Sequence, residues 1–138
     1  LLGGPVRDSA PAYASMLGYS LDLDLAQQRT REMVAAGYQA LKWFPRWGPS
    51  DGKAGLARNI ELAEALRDAA GPDIDIMFDA WMSWDRPYTL EFARRIAHLN
   101  LRWIEEPVLP DKIALCAEIR MASPVPIATG EHEYTRWG

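Results

Sequence analysis

Short apolar runs alternate along this chain with longer segments in which apolar residues recur at helical spacing. The short runs are typical of buried parallel strands, and the longer segments are typical of amphipathic helices. The predicted strands are residues 11–16, 38–44, 74–78, 101–104 and 125–129, and the predicted helices are residues 23–36, 55–70, 88–98 and 113–121. Because strands and helices alternate strictly, the pattern predicts right-handed parallel crossovers and an α/β layered or barrel fold.

Local signals support the predicted helix boundaries. Gly37 and Gly71 follow the first and second helices, in the position where glycine commonly ends a helix. Asp85 is suited to cap the third helix, and Pro87 falls in its first turn. These residues therefore predict where the connections between strands and helices begin and end.

Three acidic residues recur at one fixed interval. Asp79, Glu105 and Glu131 are each separated by 26 positions, and each follows one of the apolar runs. The acids are therefore predicted to lie at the carboxyl ends of parallel strands, which is the face where active sites lie in barrels of this kind.

Alternation along a strand predicts which of these side chains point inward, because residues two apart share a face. Asp79 shares a face with Asp75 and Met77. The opposite face, which we expect to pack against the helices, carries Ile74, Ile76 and Phe78.

The same rule applies to the two neighbouring strands. Glu105 is in phase with Trp103, while Ile104 faces outward, so Glu105 is the inward carboxylate of the Glu105-Glu106 pair. Glu106 then lies either in a second layer behind the acids or on the surface. On the second strand Lys42 is in phase with the other inward positions, which places its ammonium at the same mouth of the barrel.

Three converging carboxylates repel one another unless a cation lies among them. Oxygen ligands without Cys or a His cluster favour Mg²⁺ over Zn²⁺. The alternative is that these acids are ordinary solvated charges at strand ends. Their equal spacing, in register with the strand-helix repeat, favours a metal site formed by Asp79, Glu105 and Glu131.

The length of the chain limits how much of a barrel it can form. A complete (β/α)8 barrel needs roughly 250 residues, whereas this chain has 138 residues. We therefore expect a partial (β/α)8 TIM-type barrel of about five parallel strands and four helices, truncated at both ends. Its uncovered sheet edges predict that residues 1–138 aggregate or are molten when isolated.

Charge and composition exclude several other classes of protein. The net charge is −4 and the basic residues are scattered, so we expect no nucleic-acid partner. No apolar run approaches the roughly 20 residues that span a bilayer, and no signal peptide is visible, so no membrane partner is expected. One cysteine allows no disulfide framework, so a cytoplasmic protein is expected. The single cysteine, Cys116, is interpreted as a small core residue of a helix.

The motifs together resemble the barrel domain of the enolase superfamily, within its mandelate racemase and muconate lactonising group. The residues that carry this resemblance are Leu1-Leu2-Gly3-Gly4-Pro5-Val6-Arg7, Tyr13-Ala14-Ser15, Lys42, Asp79, Trp103-Ile104-Glu105-Glu106-Pro107 and Thr129-Gly130-Glu131-His132. Two further segments, residues 46–52 and residues 79–83, look most like the acid-sugar dehydratases of the L-rhamnonate type.

The resemblance implies a function and a set of residue roles. A base removes the proton α to the carboxylate of a sugar acid, Mg²⁺ holds the enediolate, and loss of a β-hydroxyl completes a hydro-lyase reaction. Asp79, Glu105 and Glu131 would be the metal ligands, and Lys42 would be the catalytic residue that faces the substrate carboxylate. The parent protein is expected to be a homo-oligomer, with an N-terminal capping domain and later barrel strands that are absent here.

The chain departs from the racemase pattern of this group at Phe44. Racemases carry a second Lys there as a base, and Phe44 cannot accept a proton. Some dehydratases carry a His where this chain has Trp81. The resemblance therefore implies that base and acid come from later strands, which leaves the metal half of the site in this chain.

Several aromatic and imidazole side chains are further candidates for substrate contact. Trp81 and His132 are predicted to touch the substrate, whereas His98 is interpreted as a surface residue favoured near a helix end. The predicted mouth loops carry the aromatic group Trp43, Trp47, Trp81 and Trp84. Such faces stack on sugar rings, but burial against a capping domain or a subunit explains them equally well.

The sequence leaves two other functions open. The parent protein could be a racemase, epimerase or cycloisomerase of the same superfamily. Alternatively, the chain could be a non-catalytic remnant that keeps the scaffold without its base.

Overall fold

The computed structural model describes residues 3–136. Leu1 and Leu2, which begin the first motif of the resemblance, lie outside the described residues, as do Trp137 and Gly138.

The described residues form one parallel sheet with helices between successive strands. The strands are β1 (Ala14–Ser15), β2 (Ala40–Trp43), β3 (Asp75–Asp79), β4 (Trp103–Glu105) and β5 (Ile127–Ala128), and the helices are α1 (Leu23–Ala35), α2 (Gly52–Ala70), α3 (Arg86–Arg95) and α4 (Ile113–Ala122). The strand order is β1-β2-β3-β4-β5, and every neighbouring pair is parallel. The prediction of five parallel strands alternating with four α-helices is therefore confirmed.

The observed boundaries differ from the predicted ones mainly at strand and helix ends. The edge strands β1 and β5 each pair with one neighbour and are only two residues long. Helix α2 begins at Gly52, three residues before the predicted start, after a 3₁₀ turn over Pro49–Asp51. Helix α3 ends at Arg95, and a second 3₁₀ turn over Ala97–Leu99 follows.

The predicted capping and termination signals act as expected. The Asp85 Oδ1 atom accepts a hydrogen bond of 2.9 Å from the Tyr88 amide, so Asp85 caps helix α3. After helix α1 the chain passes through Gly37 at a φ of 94°, a conformation that glycine adopts without a steric penalty.

The main core lies between the outer face of the sheet and the helices. The predicted outward set, Ile74, Ile76 and Phe78, belongs to this core, which confirms the alternation on β3. Phe78 packs edge-on against Phe92 of helix α3, with ring centroids 5.8 Å apart. In the described residues, none of the helices has the length and apolar character needed to cross a membrane.

The sheet edges lead to the first testable prediction. Strands β1 and β5 each leave one edge without a partner strand among the described residues, and large apolar side chains such as Leu17 and Met121 are exposed at 70% and 81%. We expect the isolated 138-residue chain to aggregate or to behave as a molten globule. Size-exclusion chromatography and a thermal melt followed by near-UV circular dichroism test this. A soluble monomer with a cooperative transition would contradict it.

Candidate metal centre and adjoining cavity

Two of the three predicted acids lie side by side at the carboxyl ends of neighbouring strands. Asp79 is the last residue of β3 and Glu105 is the last residue of β4, and the two are register partners in the parallel ladder. Partners in register point to the same face of a sheet, so their carboxylates meet by backbone geometry alone. Their side chains are 2% and 14% exposed.

Glu131 reaches the same place by a different route. The last paired residue of β5 is Ala128, opposite Glu105, so Glu131 lies three residues beyond the strand, in a turn. The turn passes through Gly130 at a φ of 121°, a conformation that L side chains rarely adopt. One carboxylate oxygen from each of Asp79, Glu105 and Glu131 lies within 4.8 Å of the other two.

Lys42 lies between the two strand-borne carboxylates. Its Nζ atom is 3.0 Å from Asp79 Oδ2 and 2.6 Å from Glu105 Oε1. Burial by itself would lower the pKa of the Lys42 ammonium, but the hydrogen bonds to Glu105 and Asp79 outweigh that effect and raise the pKa. Lys42 is therefore an ammonium ion within this cluster.

The two strand-borne carboxylates are also held by neutral donors. The Trp81 amide donates to Asp79 Oδ1 at 3.0 Å, and the Trp103 indole donates to Glu105 Oε2 at 2.8 Å. Burial raises the pKa of Asp79, and the hydrogen bond from Lys42 opposes the rise without cancelling it. The donors fix the direction of both carboxylates, which is the arrangement that orients metal ligands.

The donor set fits a hard divalent cation. The cluster holds three carboxylates and one ammonium, so it carries an excess of negative charge that a divalent ion would offset. Its metal-binding atoms are all carboxylate oxygens, which suit Mg²⁺ rather than Zn²⁺.

Glu106 belongs to this site, although alternation alone left its position undecided. It is 1% exposed, so the surface position that the sequence allowed is wrong and the second layer is correct. Its Oε1 atom accepts hydrogen bonds from the Gly130 amide at 2.6 Å, from the Glu131 amide at 3.1 Å and from the Thr129 hydroxyl at 3.1 Å. In the sequence, the sign that Glu106 belongs to the site is its position next to Glu105.

A cavity of about 460 Å³ opens beside the carboxylates. It is lined by Leu17, Lys42, Phe44, Pro45, Arg46, Asp79, Ala80, Trp81, Ser83 and Glu131. Lys42 and the exposed Trp81 thus lie where they were predicted, at the mouth. His132 does not line this cavity and packs edge-on against Tyr134, with ring centroids 6.2 Å apart. Substrate contact by His132 stays a prediction.

The interpretation of the four tryptophans as a group at the mouth is wrong for two of them. Trp43 is fully buried in the core because it follows the inward Lys42 on β2 and so faces the helices. Trp84 is also buried, at 5% exposure. Trp81 is exposed and lines the cavity beside the carboxylates, and Trp47 is half-buried.

The sequence did not reveal the network that supports the loop after β2. The Trp47 carbonyl accepts hydrogen bonds from the side-chain amide of Asn59 at 2.8 Å, the Trp84 indole at 3.0 Å and the Tyr88 hydroxyl at 3.3 Å. Burial raises the pKa of Tyr88 to about 12. This network fixes the chain next to Arg46, which lines the cavity.

Two further predictions concern residues away from the site. Cys116 is buried in a small cluster with Leu90, Val108 and Ile119, which confirms its interpretation as a core residue. Burial raises the pKa of its thiol. His98 is exposed in the 3₁₀ turn after α3, as predicted for a surface residue.

The fold and the site together define an α/β protein with parallel strands and an acidic cluster at their carboxyl ends. Residues 25–138 match the family described as Enolase C-terminal domain-like. The chain belongs to this family of the enolase superfamily, and the resemblance seen in the sequence is confirmed.

Individual relatives show the kinds of protein to which the chain is similar. It is 38% identical over 140 aligned residues to the L-rhamnonate dehydratase of Saccharopolyspora erythraea, an alignment that covers 100% of this chain and 33% of that protein. The chain therefore spans about a third of the length of this relative.

Two solved structures extend the comparison. The rhamnonate dehydratase from Gibberella zeae complexed with Mg has 40% identity and a TM-score of 0.73, over 76% of this chain and 26% of that one. A racemase from Streptomyces coelicolor with bound magnesium has 30% identity and a TM-score of 0.76, over 88% of this chain and 32% of that one.

Proposed function

We propose that this chain provides the metal half of the active site of a Mg²⁺-dependent acid-sugar dehydratase, a hydro-lyase. The observation that carries the proposal is the convergence of Asp79, Glu105 and Glu131, whose oxygens lie within 4.8 Å of one another with Lys42 between the first two. The similarity to an L-rhamnonate dehydratase supports the reaction class.

We place the chain within a longer protein, as part of a (β/α)8 barrel with an additional capping domain. Its coverage of only 33% of the curated relative and 26% of the Gibberella structure supports this arrangement. That longer polypeptide is the full-length protein on which the proposed reaction depends.

The three carboxylates would hold Mg²⁺, and Lys42 would donate a hydrogen bond to the substrate carboxylate. When bound, the ion supplies positive charge to the substrate oxygens, where negative charge grows as the α-proton leaves. Lys42, Asp79 and Glu105 lie on strands of the sheet. The ammonium of Lys42 and the ligands of the ion are therefore already in position before the reaction begins.

Trp81 would form one wall of the substrate site. Its side chain is 65% exposed, and its backbone, at a φ of 43°, is held by the amide hydrogen bond to Asp79. A non-glycine residue in this conformation is uncommon and is often found at functional sites. The indole face beside Lys42 is suited to pack against the carbon chain of a sugar acid.

The proton-abstracting base is expected outside this chain. Among the residues that line the cavity, Phe44 and Trp81 cannot accept a proton, and Lys42 is held as an ammonium by two carboxylates. Asp79 and Glu131 also line the cavity, but as metal ligands they would not be free to act as the base. We therefore expect the base on later strands of the full-length barrel, as the resemblance to the dehydratases implies.

A substrate screen tests the proposed function. The full-length protein, assayed with Mg²⁺ against a panel of aldonic acids, is expected to release a 2-keto-3-deoxy acid from at least one of them, and chelation with EDTA is expected to stop the reaction. Mass spectrometry should show the loss of one water from the substrate.

Other products would overturn the dehydratase proposal. An epimerised or cyclised acid of unchanged mass would indicate a racemase, epimerase or cycloisomerase, a class to which the Streptomyces coelicolor relative belongs by its description as a racemase. No reaction with any acid, combined with no binding of Mg²⁺, would indicate a non-catalytic protein.

A further inference from the structure

We infer that Glu106 is a positioning residue that holds Glu131 at the metal centre. The inference rests on the metal site of the proposed function. It assigns a separate role to the second acid of the Glu105-Glu106 pair, which is not one of the three converging carboxylates.

The need for such a residue follows from the way Glu131 enters the site. Asp79 and Glu105 are placed by the parallel ladder, but Glu131 lies beyond the last paired residue of β5. A turn outside the ladder has no inter-strand hydrogen bonds to fix it, so its position depends on other contacts.

The side chain of Glu106 supplies those contacts. One oxygen, Oε1, accepts from the amides of Gly130 and Glu131 at 2.6 and 3.1 Å and from the Thr129 hydroxyl at 3.1 Å. All three donors belong to the turn that carries Glu131. Because three donors of one turn converge on a single acceptor atom, these hydrogen bonds, which we call the Glu106 cradle, restrain the position of the turn.

The backbone of Glu106 bonds to the end of strand β5 and to the loop that follows strand β3. Its amide donates to the Ala128 carbonyl at 2.9 Å, and its carbonyl accepts from the Met82 amide at 2.6 Å. Glu106 adopts a φ of 43°, which is strained for a residue with a side chain. Glu106 therefore contacts the loop after β3 through its carbonyl and the turn after β5 through its side chain.

Burial shows that the cradle has an energetic cost. Glu106 is 1% exposed, and its second oxygen, Oε2, is buried without a hydrogen-bond partner among residues 3–136. A buried carboxylate is unfavourable unless its hydrogen bonds offset the loss of water. The three hydrogen bonds to Oε1 all come from the Glu131 turn, so the contacts that offset burial are the same ones that position a ligand.

Removal of a residue that orients a metal ligand commonly lowers metal affinity by about 10- to 100-fold.

Two variants of Glu106 distinguish the effect of the position of its carboxylate from the effect of its charge. Glu106→Asp keeps the charge but withdraws the carboxylate by about one C–C bond, roughly 1.5 Å, so it loses contact with the turn. Glu106→Gln loses the charge but keeps an acceptor at Oε1, and its amide nitrogen replaces the unpartnered Oε2.

The two variants should differ in their affinity for Mn²⁺, used as a spin probe for Mg²⁺. We expect the Asp variant of the full-length protein to bind Mn²⁺ about 10-fold or more weakly than the wild type, because the turn that carries Glu131 loses its support. The Gln variant should stay within about threefold of the wild type, since it keeps the acceptor that orients the ligand.

Electron paramagnetic resonance without substrate gives these affinities independently of turnover. If the protein proves active, the Asp variant should also need more Mg²⁺ for half-maximal rate while keeping its kcat at saturating Mg²⁺, a shift that a simple loss of folded protein would not produce. The matched control is Glu118 on helix α4, whose side chain is 63% exposed. Glu118→Asp and Glu118→Gln should leave Mn²⁺ affinity unchanged.

Three results would overturn the inference. The first is wild-type affinity in the Asp variant, and the second is a loss in the Gln variant as large as that in the Asp variant, which would assign the effect to charge. The third is the absence of any Mn²⁺ binding by the wild-type protein. A protein that binds Mn²⁺ but dehydrates no acid would refute the proposed reaction and leave this inference standing.

Discussion

Replacing Glu105 with Gln in the full-length protein is expected to abolish turnover and to weaken Mg²⁺ binding by about 100-fold or more, because loss of a direct ligand should exceed the 10- to 100-fold typical of outer-shell partners. The amide has nearly the shape of the carboxylate but no negative charge. The change also removes the charged acceptor of the 2.6 Å contact with Lys42. Isothermal titration with Mg²⁺ and an assay for 2-keto acid product measure the two effects.

The matched control for this variant is Glu118→Gln, which removes an exposed carboxylate from helix α4. The control should retain wild-type affinity and rate. A Glu105→Gln protein that turns over substrate at the wild-type rate would refute the assignment of Glu105 as a metal ligand.

The strand-borne part of the site could be predicted from the sequence because it depends on periodicity alone. Alternation along β3 and β4 placed Asp79 and Glu105 on one face, and the ladder pairs them directly. The same rule placed Lys42 at this mouth, where its Nζ atom contacts both carboxylates. Residues on paired strands inherit their positions from the backbone, so a correct strand assignment was sufficient.

The loop-borne part could not be derived in this way. The interval of 26 residues between Glu105 and Glu131 matches the first interval, yet Glu105 pairs with Ala128 and not with Glu131. The turn at Gly130 and the cradle of Glu106 bring the third carboxylate back to the site. Both depend on tertiary contacts that a period of two residues does not encode.

At Trp43 the alternation along the strand and the residue type indicate different places. The predicted end of β2 at residue 44 already placed Trp43 on a strand, next to the inward Lys42, so alternation assigns it to the core. Residue type alone groups it with the loop tryptophans, but the structure buries it completely. For Trp81, which follows the end of β3, residue type and position indicated the same place.

Replacement of Lys42 is expected to lower the rate of catalysis strongly without weakening the binding of Mg²⁺. We expect Lys42→Ala to lower kcat of the full-length protein by about 10²- to 10³-fold or more, because it removes a preorganised positive charge from the substrate carboxylate. The same change should leave Mg²⁺ affinity equal to the wild type or higher. The Lys42 ammonium lies 3.0 Å from Asp79 and 2.6 Å from Glu105, so it competes with a metal ion for the same two carboxylates.

Lys42→Met tests whether lost packing, rather than lost charge, lowers kcat in Lys42→Ala. Methionine fills most of the volume of the lysine without its charge. If charge is the cause, the Met variant should be as inactive as the Ala variant. Lys53→Ala, at an exposed position in the first turn of helix α2, is the matched control and should keep the wild-type rate. Wild-type turnover in either Lys42 variant would refute a role in catalysis. Weakened Mg²⁺ binding in both would instead show that the ammonium stabilises the arrangement of the carboxylates, because competition alone can only leave metal binding unchanged or make it tighter once the lysine charge is removed.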